Sequence, residues 1–232
     1  MLGIPGMKLA LFVGFLGLVT PAFASAAQPP HSGGPEPALT WRLERPGQIG
    51  GIATTVLGAP APVASETGPA LEFDGVDDGV IVPINPIAGF RAFTVEILVR
   101  PAAGGTFAQR FFHIAEGDDH RLLVELRLDE TNHWYVDTYL HHGDNRLPLI
   151  DKSLLHPVGV WTWVALRYAD GRMAHFVNGK KECEGDVNFG PMTTGRTSIG
   201  VRLNRVFWFK GMIGEVRFHP AALEPGQMQR AD

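Results

Sequence analysis

The sequence predicts an all-β protein of ten or more short antiparallel strands, closed into a sandwich or barrel. Three observations carry this. Apolar and polar residues alternate with period two along most of the chain from Leu39 onward. Asn-Gly and Asp-Gly dipeptides stand between such runs, where hairpin turns need them. From Leu39 on, no stretch longer than about ten residues keeps a helical period. Composition agrees: 28 glycines and 18 prolines suit many tight turns, and charged residues make up only 19% of the 232.

The N-terminus reads as an export signal rather than as fold. Lys8 supplies a positive charge, Leu9 to Val19 is uncharged and apolar, and Ala22-Phe23-Ala24 and Ala24-Ser25-Ala26 are overlapping cleavage patterns. The apolar run is about half the ~20 residues a membrane span needs. Residues 1–26 are therefore expected to be a secretory signal peptide, cut near Ala24 or Ala26, and the mature protein to be secreted or periplasmic. Residues 27–38, rich in Pro and Gly, read as a flexible linker, and 39–232 as one domain.

Within that domain Leu39, Trp41 and Leu43 share one face, as do Phe93, Val95, Ile97 and Val99. Leu122 to Leu128 and Trp134 to Leu140 alternate likewise. Each is expected to be a half-buried strand with its polar face toward solvent. Trp161 and Trp163 share a strand face, so at least one is expected to anchor the core. Asp170-Gly171 and Asn178-Gly179 then predict two consecutive hairpins, an antiparallel meander. Ala221 to Met228 suit one short turn of helix.

Some function classes fall away at once. Formal net charge is −4 with no basic run, so the electrostatic footprint of a nucleic-acid binder is missing. The one cysteine, Cys183, allows neither an intrachain disulfide nor zinc-ligand spacing.

Specific segments resemble a known family. LEFDGVDDGVIVP (71–83) and FTVEILVRP (93–101) are similar to the opening of bacterial laminin-G-like domains of the concanavalin A-like superfamily. WTWVALRYADGRMAHFVNGKKE (161–182) resembles the central segment, and TSIGV (197–201) with FKGMIGEVRFHPAAL (209–223) the closing strands. The likeness runs from about Leu39 to Leu223. It implies an antiparallel two-sheet β-sandwich, the concanavalin A-like jelly roll, with ligands on a concave face or a loop rim. That fold hosts lectins, glycosidases, lyases and adhesion modules, so the site must decide function.

The catalytic patterns of such relatives are incomplete here. A laminarinase-type Glu-x-Asp-x-x-Glu is approached by Glu116 to Arg121, which ends in Arg121 instead of Glu. An alginate-lyase-type Arg-x-Glu-x-Arg is approached by Glu125 and Arg127, but position 123 is Leu. A different arrangement remains. Runs 122–128 and 134–141 should pair as a hairpin, in one of two registers that keep the apolar faces together. One sets Glu125 opposite Asp137 and Arg127 opposite Tyr135, a carboxylate pair that needs a cation or a raised pKa. The other sets Arg127 opposite Asp137 and Glu125 opposite Tyr139, an ordinary salt bridge. Both registers stay open.

Two turns, 117–121 and 142–146, should lie at one end of the sheet. They would bring Asp118, Asp119, His120, His142, Asp144 and Asn145 together, with Asp118, Asp119, Asp144 and Asn145 as candidate ligands for Ca2+, which takes oxygen donors. His141 and His142 are adjacent and point to opposite strand faces, which disfavours a shared metal. Tyr135, Tyr139 and Trp208 are candidate sugar-stacking platforms, and Gln109, Arg110, Arg127, Arg202 and Asn204 candidate polar contacts. No cofactor is required by any of this. Three functions fit: a carbohydrate-binding, lectin-like domain; a structural or protein-interaction module of the cell surface; or a polysaccharide hydrolase or lyase using Glu125, Asp137, Arg127 and Tyr139. The partner would be a glycan or a cell-surface protein, with no nucleic acid and no membrane span.

Overall fold

The computed structural model describes residues 1–3 and 35–231. The expected signal peptide and most of the expected linker lie outside these. The strands, in chain order, begin with β1 (Leu39–Arg42), β2 (Gln48–Ile49), β3 (Ile52–Ala53), β4 (Thr55–Leu57), β5 (Ala61–Ser65) and β6 (Gly68–Asp74). There follow β7 (Gly79–Val82), β8 (Phe93–Pro101), β9 (Ala108–Ala115), β10 (His120–Leu128), β11 (His133–His142) and β12 (Asn145–Ile150). The last are β13 (His156–Pro157), β14 (Thr162–Ala169), β15 (Arg172–Val177), β16 (Lys180–Asp186), β17 (Arg196–Ile199) and β18 (Lys210–His219). Among the described residues no helix is long and apolar enough to cross a membrane.

Two large antiparallel sheets result, with β2 and β3 forming a separate two-stranded one. One runs β16-β15-β14-β8-β18-β6-β5, with β1 also paired to β18. The other runs β12-β11-β10-β9-β17-β7-β4, with β13 on β11. The inward faces meet in one core that includes Trp41, Phe73, Phe93, Phe111, Phe112, Trp134, Phe209 and Phe218. This is the two-sheet sandwich. Both predicted hairpins form: Asp170 and Gly171 join β14 to β15, and Asn178 and Gly179 join β15 to β16. All four residues have positive φ, the backbone that twists with the strands it links.

Two expectations change. β8 was expected to have one solvated face, yet it is buried on both. Its outer face is covered by the segment that follows β18. Glu96 accepts from the Gln229 amide and pairs with His219 Nε2, at 2.7 and 3.0 Å. Thr94 Oγ1 donates to Ala221 O and accepts from Leu223 N, both at 2.9 Å. Leu223 and Met228 then pack on Ala165, Ala174 and Phe176. The helical turn expected over 221–228 is one 3-10 turn, Pro225–Gln227. Trp161 and Trp163 also leave the main core. They alternate with the core residues Val164 and Leu166, and form a second cluster with Ala70 and Leu98 on this outer face. A covering segment, invisible to strand periodicity, buries both faces.

Candidate functional site

The hairpin β10–β11 adopts the register in which Glu125 faces Asp137 and Arg127 faces Tyr135. Leu122, Val124 and Leu126 point into the core, so Arg121, Leu123, Glu125 and Arg127 line the sheet's outer face. Tyr135, Asp137 and Tyr139 join them from β11.

A bulge in β9 completes the row. Val124 pairs with Phe112 and Glu125 with Arg110, which leaves Phe111 as an extra residue. Phe111 and Phe112 therefore both enter the core, and Arg110 turns out to the face that carries Glu125. Two carboxylates are thus 4% and 6% exposed and opposite one another. Cations offset them. Arg127 Nη1 donates to Glu125 Oε2 at 3.0 Å, and its Nη2 to Asp137 Oδ2 at 2.5 Å. Arg110 Nε lies 2.8 Å from Glu125 Oε2, although neither its Nε nor its Nη1 reaches hydrogen-bond geometry. Burial nevertheless keeps the pKa of both carboxyls above the ordinary range, against the pull of Arg110 and Arg127 on each. Asp137 raises Glu125 further. The two enclosed carboxylates hold two guanidiniums beside them.

Two phenylalanines border those guanidiniums. Arg110 lies 3.6 Å from the ring centroid of Phe207, and Arg127 lies 5.9 Å from that of Phe107. Phe107 is 60% and Phe207 43% exposed. Phe207 has positive φ, and its carbonyl accepts from Arg110 N at 2.9 Å, so its loop is tied along β9. The same loop supplies Arg202 and the exposed Asn204. Leu203 N donates to His113 Nδ1 at 3.2 Å. Burial, and then Arg202, Arg121 and Arg110, push the His113 pKa down to about 3, so the ring is neutral.

Other candidate residues fall in different places. Tyr139 is half-buried with the Arg121 guanidinium 5.6 Å from its ring, whereas Tyr135 is buried. Trp208 is on the same outer face but lies against Gly79 of β7, two strands from β9. Gln109 faces away from any ligand: its amide is buried, accepting from Lys210 N and donating to Thr106 O, both at 2.8 Å. The bulge that turns Arg110 out turns Gln109 in.

The two turns 117–121 and 142–146 do meet, with Gly143 N donating to Asp119 O at 2.9 Å. His120 and His142 stack at 4.2 Å and bond Gly190 O and Gly190 N. Asp118, Asp119, Asp144 and Asn145 stay exposed. Among the described residues the acidic group whose oxygens lie close enough to share an ion is Asp74, Asp77 and Asp78. Asp74 Oδ1 there accepts the amides of Val76, Asp77 and Asp78, and Asp78 those of Ala59 and Asp74. The motif Phe-Asp-Gly-Val-Asp-Asp is thus accounted for as a turn built on side-chain caps.

Phe107, Phe207, His113 and Arg121 are the members of this face that sequence reasoning did not select as ligand contacts. Phe207 stands beside Trp208, and exposure of one of two adjacent aromatics leaves no periodic signal.

A family model described as the concanavalin A-like lectin/glucanases superfamily matches residues 74–229, two thirds of the chain. The chain belongs to this superfamily. Solved structures share the fold. Domain 4 of a GH43 extracellular arabinanase from Geobacillus stearothermophilus, solved in complex with arabinotriose, has a TM-score of 0.65 at 19% identity, covering 83% of this chain and 96% of that one. A heptameric SAP-like pentraxin from Limulus polyphemus has a TM-score of 0.54 at 16% identity, covering 67% and 77%. The botulinum neurotoxin serotype D binding domain has a TM-score of 0.60 at 12% identity, covering 83% of this chain and half of that one. At these identities the likeness is one of fold. No protein of curated function matches the sequence.

Proposed function

We propose that this chain is an exported carbohydrate-binding domain whose glycan lies on the outer face of β9–β10–β11, held without bond cleavage. One observation carries the reading: the buried Glu125–Asp137 pair fixes Arg127 and Arg110 beside exposed Phe107 and Phe207. Rigid guanidinium donors next to apolar rings match a sugar, whose hydroxyls need hydrogen bonds and whose C–H face needs an apolar surface. The arabinotriose complex of the Geobacillus domain supports a sugar as ligand for this architecture. The signal-like N-terminus supports export.

The test is a thermal-shift screen of the full chain against plant, bacterial and algal polysaccharides, with product analysis of each mixture. A ligand-specific rise with no new reducing ends is the expected result, since a ligand stabilises the state it binds. Reducing ends that vanish in Glu125→Gln would replace binding by hydrolysis. No rise with any glycan would move the reading to a protein-interaction module.

A further inference from the structure

The outer face carries more positive charge than its carboxylates neutralise. Arg110, Arg121, Arg127 and Arg202 stand there against Glu125 and Asp137. Arg110 and Arg127 are committed to those carboxylates. Among the described residues Arg121 and Arg202 have no acidic partner. Arg121 uses Nη1 on the Asp118 carbonyl, and its Nε is buried without a hydrogen bond. Beside it His113 Nε2 is also buried without a hydrogen bond. Buried donors without acceptors are costly, and guanidiniums converging on one neutral imidazole repel each other. The repulsion falls when an anion sits beside the guanidiniums. The geometry brings these two arginines toward one imidazole. Arg121 precedes Leu123 by two residues on β10, and Leu123 faces His113 across the ladder. Arg202 directly precedes Leu203, whose amide bonds that same imidazole. All this occurs on a chain of net charge −4, so the positive charge is local.

We propose that Arg121 and Arg202, meeting at His113, form a subsite for the anionic group of an acidic saccharide, with Tyr139 beside it to carry the sugar ring. The proposal rests on the carbohydrate reading above and names the class of glycan. A guanidinium presents two parallel N–H donors to a carboxylate or sulfate, so the shared chemistry is an oxyanion on a sugar. A sugar without one would leave both arginines unmatched.

The experiment is calorimetric titration of the full chain with three galactose-based oligosaccharides of equal length: neutral, uronic and sulfated. Wild type, Arg121→Gln and Arg202→Gln are compared, each first checked for an unchanged melting temperature. Sodium sulfate alone is a fourth titrant. Expected is binding of an acidic oligosaccharide at least about tenfold tighter than the neutral one, and a loss of about tenfold in each variant for the acidic ligand only. The uronic and sulfated arms say which oxyanion it is. Equal affinity for neutral and acidic sugars, unchanged in both variants, would overturn the subsite and leave the carbohydrate reading standing. Sulfate bound through Arg121 and Arg202 with no saccharide bound would uphold the anion site and overturn the carbohydrate reading. Silence from every titrant overturns the subsite. Should Arg121→Gln fail to fold, Arg202→Gln on its half-exposed loop decides alone.

Discussion

Glu125 and Asp137 face each other across the β10–β11 ladder, and Arg127 bonds both. Two buried carboxylates in that position repel, and the arginine two residues along the same strand offsets this by reaching back to both, with Arg110 beside Glu125. Arg127 is therefore structural and, through its position beside Phe107, part of the proposed binding face.

Replacing Arg127 by Met should destabilise the domain by about 3 kcal/mol near neutral pH, the usual cost of leaving a buried charge unpaired. The sign with pH follows from the carboxyls. Their folded pKa values are already raised and would rise further without Arg127, so the fold favours their protonated forms. The deficit should shrink as pH falls toward the ordinary carboxyl range. Urea melts at pH 7 and pH 4.5 measure this, and a loss that ignores pH would show that Arg127 acts by packing alone.

Acid should weaken the native protein through His113 and His175. Burial is the main cause in both, holding them neutral with pKa values lowered from 6.5 to about 3 and about 4. His175 bonds Thr138 Oγ1 at 2.9 Å, with Glu182 3.8 Å away and His156 and Asp151 nearby. A depressed folded pKa leaves stability complete above 6.5. Below it the unfolded chain takes up protons that the fold refuses, at about 1.4 kcal/mol per pH unit for each group. Stability should fall until about pH 4 for His175 and about pH 3 for His113. In His175→Gln the contribution of these two groups to the slope between pH 6 and pH 4 should drop by roughly half. An unaltered slope in denaturant midpoints would remove His175 from the account.

The segment after β18 should detach when its anchor is cut. Asn178 Oδ1 accepts from Trp163 N at 3.0 Å and from Ala231 N at 3.2 Å, while its own φ of 48° favours Asn over Ala. Asn178→Ala should cost about 2 kcal/mol and expose the tail to protease well before global unfolding. Equal proteolysis of variant and wild type would show that the contacts of Thr94, Glu96, Leu223 and Met228 suffice to hold it.

Chelator should leave the melting temperature unchanged. Asp74 Oδ1 and both Asp78 oxygens accept backbone amides, and Asp118, Asp119 and Asp144 remain solvated at their turns. A fall in Tm with EDTA that added Ca2+ reverses, and that Asp118→Ala/Asp144→Ala abolishes, would restore the calcium site that the turn composition suggests.

Local sequence determined the strands and turns, because period two and Asn-Gly or Asp-Gly are properties of adjacent residues. The two hairpins at Asp170-Gly171 and Asn178-Gly179 and the inward faces of β10 and β11 follow directly from it. The candidate face was legible as a set of residue types, Glu125, Arg127, Asp137 and Tyr139, but not as an arrangement. Two registers bury the same apolar side chains equally well, and Arg110, reached across a different ladder, helps offset the charge that the chosen one creates. The Phe111 bulge decides that Arg110 faces out and Gln109 in, since one extra residue inverts the alternation for everything beyond it. Burial of the outer face around Leu98, Trp161 and Trp163 likewise depends on a segment far along the chain. What the sequence determined was the pleat of each strand; register, bulge and cover were decided by contacts between strands, where charge and volume must match across the fold.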